Sequence, residues 1–145
     1  MTDSNKQTDG ADHRVVATQI EVTIPADPAG LPLLRSIAAA LAVALDFDID
    51  TMADLRMAVD ELGATVVTRA RAGSAVSCRF VAEGDAVTVS ASATAAGDEP
   101  LDQTSFGWMV LTTLAESVTG TVHNLDEGGP EVRLSLQVRP LRASQ

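Results

Sequence analysis

Cysteine is almost missing. Cys78 is the single one in 145 residues, which excludes an internal disulfide and a thiolate zinc cluster and suits a reducing compartment. Lysine is just as scarce: Lys6 is the only one, in a polar amino-terminal stretch. No phosphate-loop signature is present, and HExxH, GxSxG and paired CxxC motifs are absent too. Long hydrophobic runs are also lacking. The longest, 37–45, has nine residues, about half of a bilayer span, and residues 1–10 lack the apolar core of a signal peptide. A cytoplasmic protein, neither exported nor embedded, is expected. Positive charge is outnumbered: ten basic against twenty acidic residues leave −10, which repels phosphate backbones and anionic lipid and argues against nucleic acid or membrane as direct partners.

What remains is ordinary globular material. Apolar residues make up 46% and charged residues 21%, so a disordered or fibrous chain does not fit, and a chain of this length buries roughly two-thirds of its unfolded surface in one domain. Residues 1–13 have almost nothing to bury and are expected to be a mobile tail. The folded domain is expected over 14–140, with 141–145 as a short carboxyl-terminal tail.

Along the domain, Val16, Ile20, Val22 and Ile24 alternate with Gln19, Glu21 and Thr23, the period of a half-buried strand ending at Pro25. Asp27, Pro28, Gly30 and Pro32 launch a helix with Leu34, Ile37, Leu41 and Leu45 on one side. Asp46, Phe47 and Asp48 break it. Asp50 or Thr51 can cap a second helix striped by Met52, Leu55, Val59, Leu62 and Val66, with Gly73 as a left-handed cap past Arg69 and Arg71. Residues 75–82 and 86–94 flank Glu83, Gly84 and Asp85, a hairpin signal. The long loop 95–104 is a candidate functional segment. A third helix over 105–118 carries apolar residues on more than one face, so it should be largely covered. A second hairpin over 120–138 turns at Glu127, Gly128, Gly129 and Pro130. Five strands and three striped helices in this order predict a two-layer α/β sandwich, a mostly antiparallel sheet with the helices on one face. A Rossmann fold lacks the required alternation and glycine-rich turn.

Little chemistry stands out. His123 reads as a polar sheet residue, Cys78 as a small buried side chain, and nothing in the sequence brings the two together as a dyad. Trp108 reads as core, or as the flank of a site at the start of its helix. On a 100° wheel Asp54, Glu61, Thr65 and Thr68 fall in one sector away from the apolar stripe. That line is either a solvated helix face or a working edge, with Glu61 as general base and Thr65 at a metal or phosphate.

The segment Asp54-Leu55-Arg56-Met57-Ala58-Val59-Asp60-Glu61-Leu62, with Ser105-Phe106-Gly107-Trp108-Met109-Val110-Leu111 further on, resembles the N box and second glycine box of the GHKL (Bergerat-fold) ATPases. It is most similar to the bacterial anti-sigma factors that double as serine-protein kinases, in particular the actinobacterial ones that control sigma-F. The resemblance spans about 15–138 and implies a histidine-kinase-ATPase-like fold and a homodimer.

It also implies roles. Glu61 matches the base for phosphoryl transfer, Thr65 stands where the family has a magnesium-binding asparagine, and Gly97 and Gly107 are what is left of the glycine boxes. The adenine-reading acid expected near 91–93 is replaced by Ala91, Ser92 and Ala93. ATP with magnesium is therefore expected to be bound weakly or lost, and kinase activity to be weak or absent. Arg35 matches an arginine that contacts both the sigma factor and its antagonist. The reading is an anti-sigma factor that sequesters an alternative sigma factor and is released by an anti-anti-sigma antagonist. The alternatives are an active ATP-dependent serine kinase acting on that antagonist, or a binding module outside transcription on the same scaffold.

Overall fold

The computed structural model describes residues 18–125 and 127–140. Both expected tails and residues 14–17 of the expected domain lie outside them.

The chain runs β1 (Thr18–Pro25), a 3-10 turn (Pro28–Gly30), α1 (Leu31–Ala44), α2 (Ile49–Arg69), β2 (Ala75–Glu83), β3 (Ala86–Thr94), α3 (Phe106–Leu114), β4 (Ser117–Leu125) and β5 (Gly129–Val138). The strands form one sheet in the order β1-β2-β3-β5-β4, and every ladder is antiparallel. This is the two-layer α/β sandwich that the periodicities predict. Val76, Cys78 and Phe80 of β2, Val87, Val89 and Ala91 of β3, and Val132, Leu134 and Leu136 of β5 are buried in a common core with Leu34 and Leu41 of α1 and Leu55, Val59, Leu62 and Val66 of α2. Their alternation with Ser77, Arg79, Ser90, Ser92 and Arg133 leaves the other sheet face wet. No helix among the described residues is long and apolar enough to cross a membrane.

Two helix junctions are set by short-range chemistry. After α1, Asp46 adopts φ +60°; its N–H reaches the Val43 carbonyl at 3.0 Å and that of Phe47 reaches Ala42 at 2.9 Å. This is a Schellman closure with aspartate in the left-handed position and buried Phe47 as its apolar contact. α2 then begins earlier than the sequence suggests. Its cap is Asp48, not Asp50 or Thr51: the Asp48 carboxylate accepts from the Thr51 N–H at 3.2 Å and from its hydroxyl at 2.5 Å. These bonds hold the Asp48 pKa below the ordinary 3.8 and let Thr51 be buried inside the first turn. Gly63, in mid-helix, marks the contact with α1, because a Cβ there would lie 2.9 Å from Leu31 Cδ2.

Two further expectations are corrected. Gly73 does not cap α2, which ends on extended Ala70; at φ +82° it occupies the turn closed by the Ser74 N–H on the Arg71 carbonyl, at 3.0 Å. α3 stops at Leu114, not 118, because Ala115 turns extended and Ser117 and Val118 pair with Gln137 and Leu136 of β5. Nor is α3 largely covered. Only Leu111 is buried, while Phe106 is 76% and Met109 57% exposed.

Candidate functional site

The polar line of α2 does not simply face water, because α3 and its flanking segments lie alongside it. Glu61, Ala64, Thr65, Thr68 and Arg69 form one wall of a groove of about 340 Å³, and Leu101, Asp102, Ser105, Trp108 and Leu111 form the other. The line's first member, Asp54, lines a separate groove beside Leu114 and Glu116. There burial, with Asp50 and Asp48 nearby, raises the Asp54 pKa above its usual value. That second groove carries its own cation, Arg139, paired with Asp85 at 2.7 Å and Glu116 at 3.1 Å.

Within the first groove, Glu61 is held from two sides. Its Oε2 accepts the Thr65 hydroxyl at 3.3 Å, one helical turn on. From the other side comes Gly107, in the first turn of α3, so close that a Cβ on it would overlap Glu61 Oε2. The carboxylate thereby stands beside the positive end of the α3 dipole, a favourable placement for an anion. Ser105 caps that helix through the Trp108 N–H at 3.1 Å. Trp108 flanks the groove, and with Leu101 it packs over Gly120 of β4, where a Cβ would lie 2.6 Å from Leu101 Cδ1 and 3.2 Å from Trp108 Cζ3.

The long loop is pinned at both ends. At its start the Ala96 N–H donates to the Arg69 carbonyl at 2.8 Å, and the Arg69 guanidinium donates to the Glu99 carbonyl oxygen and reaches the Pro100 carbonyl at 3.5 Å. At its far end Asp102 accepts from the Thr104 N–H at 2.9 Å and from its hydroxyl, which holds the Asp102 pKa below the ordinary 3.8.

The structure thus brings Glu61, Thr65 and Gly107 together. Gly97 is not among the residues lining the groove. Arg35 lies elsewhere, on the exposed side of α1, with Nε 2.9 Å from Asp60 Oδ1 and both side chains about half exposed, at 45% and 41%. Cys78 and His123 do not form a dyad, since β3 and β5 separate β2 from β4; burial pushes the Cys78 thiol up to about 11. Sequence reasoning flagged the loop but not Leu101, Asp102 or Arg69 as site residues. The signal for Arg69 was visible only as a charge in the last helical turn.

The phosphates of ATP do not suit this donor set, because the one arginine lining the groove is engaged by the loop and two carboxylates face whatever enters. The Thr65 hydroxyl donates to Glu61 and keeps its oxygen lone pairs. Ala91 and Ala93, where an adenine-reading acid would stand, are buried in the core.

No family model matches the chain. Curated proteins that it resembles include the anti-sigma-F factor RsbW of two strains of Mycobacterium tuberculosis. Each is 35% identical over 118 residues, covering 81% of this chain and 69% of the relative.

Proposed function

The chain belongs to the family of anti-sigma-F factors, and from that membership we infer that it acts by binding an alternative sigma factor of the F type and sequestering it stoichiometrically. The observation that carries this reading is the 35% identity across 118 residues. The net charge of −10 supports it, since a sigma factor must carry basic surface to engage DNA and complementary potentials speed and select the encounter. Release follows when an anti-anti-sigma antagonist competes for the same protein, and the working form is a cytoplasmic homodimer. Arg35, exposed and held by a single carboxylate, serves as a contact for the partner.

Phosphoryl transfer is not part of this reading. A kinase needs metal-bridged phosphates held in line with the acceptor, and the engagement of Arg69 by the loop, with two carboxylates lining the groove, favours an inhibitor that works by occupancy alone. Transcription directed by the F-type sigma factor of the same organism, reconstituted with RNA polymerase, tests the proposal. Titrating the chain should abolish it near one equivalent, with the sigma factor recovered in complex. Undiminished transcription in a several-fold excess would overturn the anti-sigma reading and leave a binding module outside transcription.

A further inference from the structure

Phe106 and Met109 are the largest apolar side chains that α3 offers to solvent. They are three residues apart and, on a 100° repeat, lie opposite Leu111, the residue that fixes the helix to the core. Trp108 stands between these two sides and lines the groove against α2. One apolar surface therefore runs from Leu101 and Trp108 in the groove over the outside of α3. Its surroundings are acidic. Glu61 and Asp102 line the groove, and Asp98 and Glu99 follow on the exposed loop. Against these four carboxylates stands one local cation, Arg69, whose donors go to Glu99 and Pro100. A nucleotide is a poor occupant of such a surface. A chain segment with apolar side chains along one edge and cations along the other is complementary to it.

We propose that this surface, the α2–α3 groove together with Phe106 and Met109, is the docking site for a basic, apolar-edged segment of the sigma factor, so that the groove serves protein recognition. The proposal rests on the anti-sigma reading and adds to it where the partner sits and what chemistry it presents. Apolar partner side chains cover Trp108, Phe106 and Met109, while lysine or arginine side chains approach Glu61 and Asp102. Asp102 suits this role because Thr104 holds its carboxylate in place from two donors. Charge across the rim makes association fall with salt, and the apolar anchors govern dissociation.

Trp108 is the only tryptophan, so its emission reports on the groove alone. The full chain is titrated with the purified F-type sigma factor of the same organism, whose own tryptophans are replaced, and affinity is measured in parallel by interferometry. Binding should shift Trp108 emission. Phe106→Asp and Met109→Asp should each weaken affinity at least tenfold with unchanged denaturation midpoints. The near-isosteric pair Glu61→Gln and Asp102→Asn should flatten the salt dependence. Tight sigma binding with a silent Trp108 and unaltered affinities in all four variants would overturn the docking site while leaving the anti-sigma reading intact. Absence of any sigma binding by the wild-type chain would overturn both. Saturable binding of ATP that shifts Trp108 emission and displaces no sigma factor would assign the groove to nucleotide and overturn the proposal.

Discussion

Gly107 and Glu61 occupy adjoining space: the glycine lies where any Cβ would overlap the carboxylate oxygen Oε2. Gly107→Ala places two effects in opposition. Alanine is favoured over glycine in a helix by up to about 1 kcal/mol, while Glu61 must swing aside and lose the Thr65 hydroxyl, a bond worth about 0.5–1.5 kcal/mol. The single variant should therefore lie within about 1 kcal/mol of wild type, and the same change in a Glu61→Ala background should be stabilising. Chemical denaturation of the four proteins of this cycle should give a coupling of about 0.5 kcal/mol or more. Strict additivity would mean that the contact does not constrain the glycine.

The two faces of α2 should respond very differently to truncation. Leu62 is fully buried in the core, whereas Thr68 is exposed beside the groove. Leu62→Ala should cost about 2–5 kcal/mol and Thr68→Ala less than about 1. Equal denaturation midpoints for the two variants would contradict the assignment of faces.

The fold was legible because period and punctuation agreed. Alternation in Val87, Val89, Ala91 and Ala93 marked a strand, and Gly84 at φ +64° sits in the predicted hairpin turn. Boundaries were less visible where two local signals competed. Asp50 and Thr51 both look like caps, yet it is the side chain of Asp48 that reaches the Thr51 N–H. Val118 continues the apolar pattern of α3 one turn past Leu114, yet pairing with Leu136 of β5 claims it. The candidate site was legible on one wall only. Glu61 and Thr65 follow from helical spacing, but Leu101 and Asp102 come from a loop with no period, placed by the clasp of Arg69 and the cap at Ser105.

Exposure and pairing make Arg35 a candidate contact that is cheap to alter. Exposed ion pairs contribute about 0–1 kcal/mol, so losing the bond to Asp60 should scarcely change stability. Arg35→Glu should nevertheless weaken sigma-factor capture at least tenfold, about 1.4 kcal/mol, because reversal adds repulsion to a lost contact. Interferometry with the purified sigma factor checks this, and an unchanged affinity would remove Arg35 from the interface.

Cys78 gives the protein an alkaline signature. Burial raises its pKa from the ordinary 9.0 to about 11, so the folded state retains a proton that the unfolded chain releases. The resulting stabilisation is whole below pH 9 and is lost as pH rises toward 11, with a slope of at most about 1.4 kcal/mol per pH unit. With no tyrosine and one lysine in the chain, few other groups titrate in that window. Denaturation midpoints should fall from pH 9 to 10.5 in the wild type and much less in Cys78→Ala. At neutral pH a disulfide reagent should react with the thiol only as fast as the protein opens; rapid reaction with the native chain would show that the sulfur is accessible.

Nucleotide binding is where family resemblance and local chemistry diverge. A threonine hydroxyl can ligate magnesium, but Thr65 reaches one bond less far than asparagine's carbonyl oxygen, on a β-branched and stiff side chain. The purine amine fares no better, because Ala91 and Ala93 offer no acceptor and turn into the core, and a buried donor without a partner costs about 1–3 kcal/mol. Both losses fall on the same ligand. ATP affinity should therefore be no tighter than the high-micromolar range, GTP should bind about as poorly, and sigma-factor binding should persist without either. Calorimetric titration with and without magnesium measures the first two, and incubation of the chain with labelled ATP and the purified antagonist measures transfer. No phosphoserine should form; robust labelling that disappears in Glu61→Ala would establish Glu61 as a working base and the chain as a kinase.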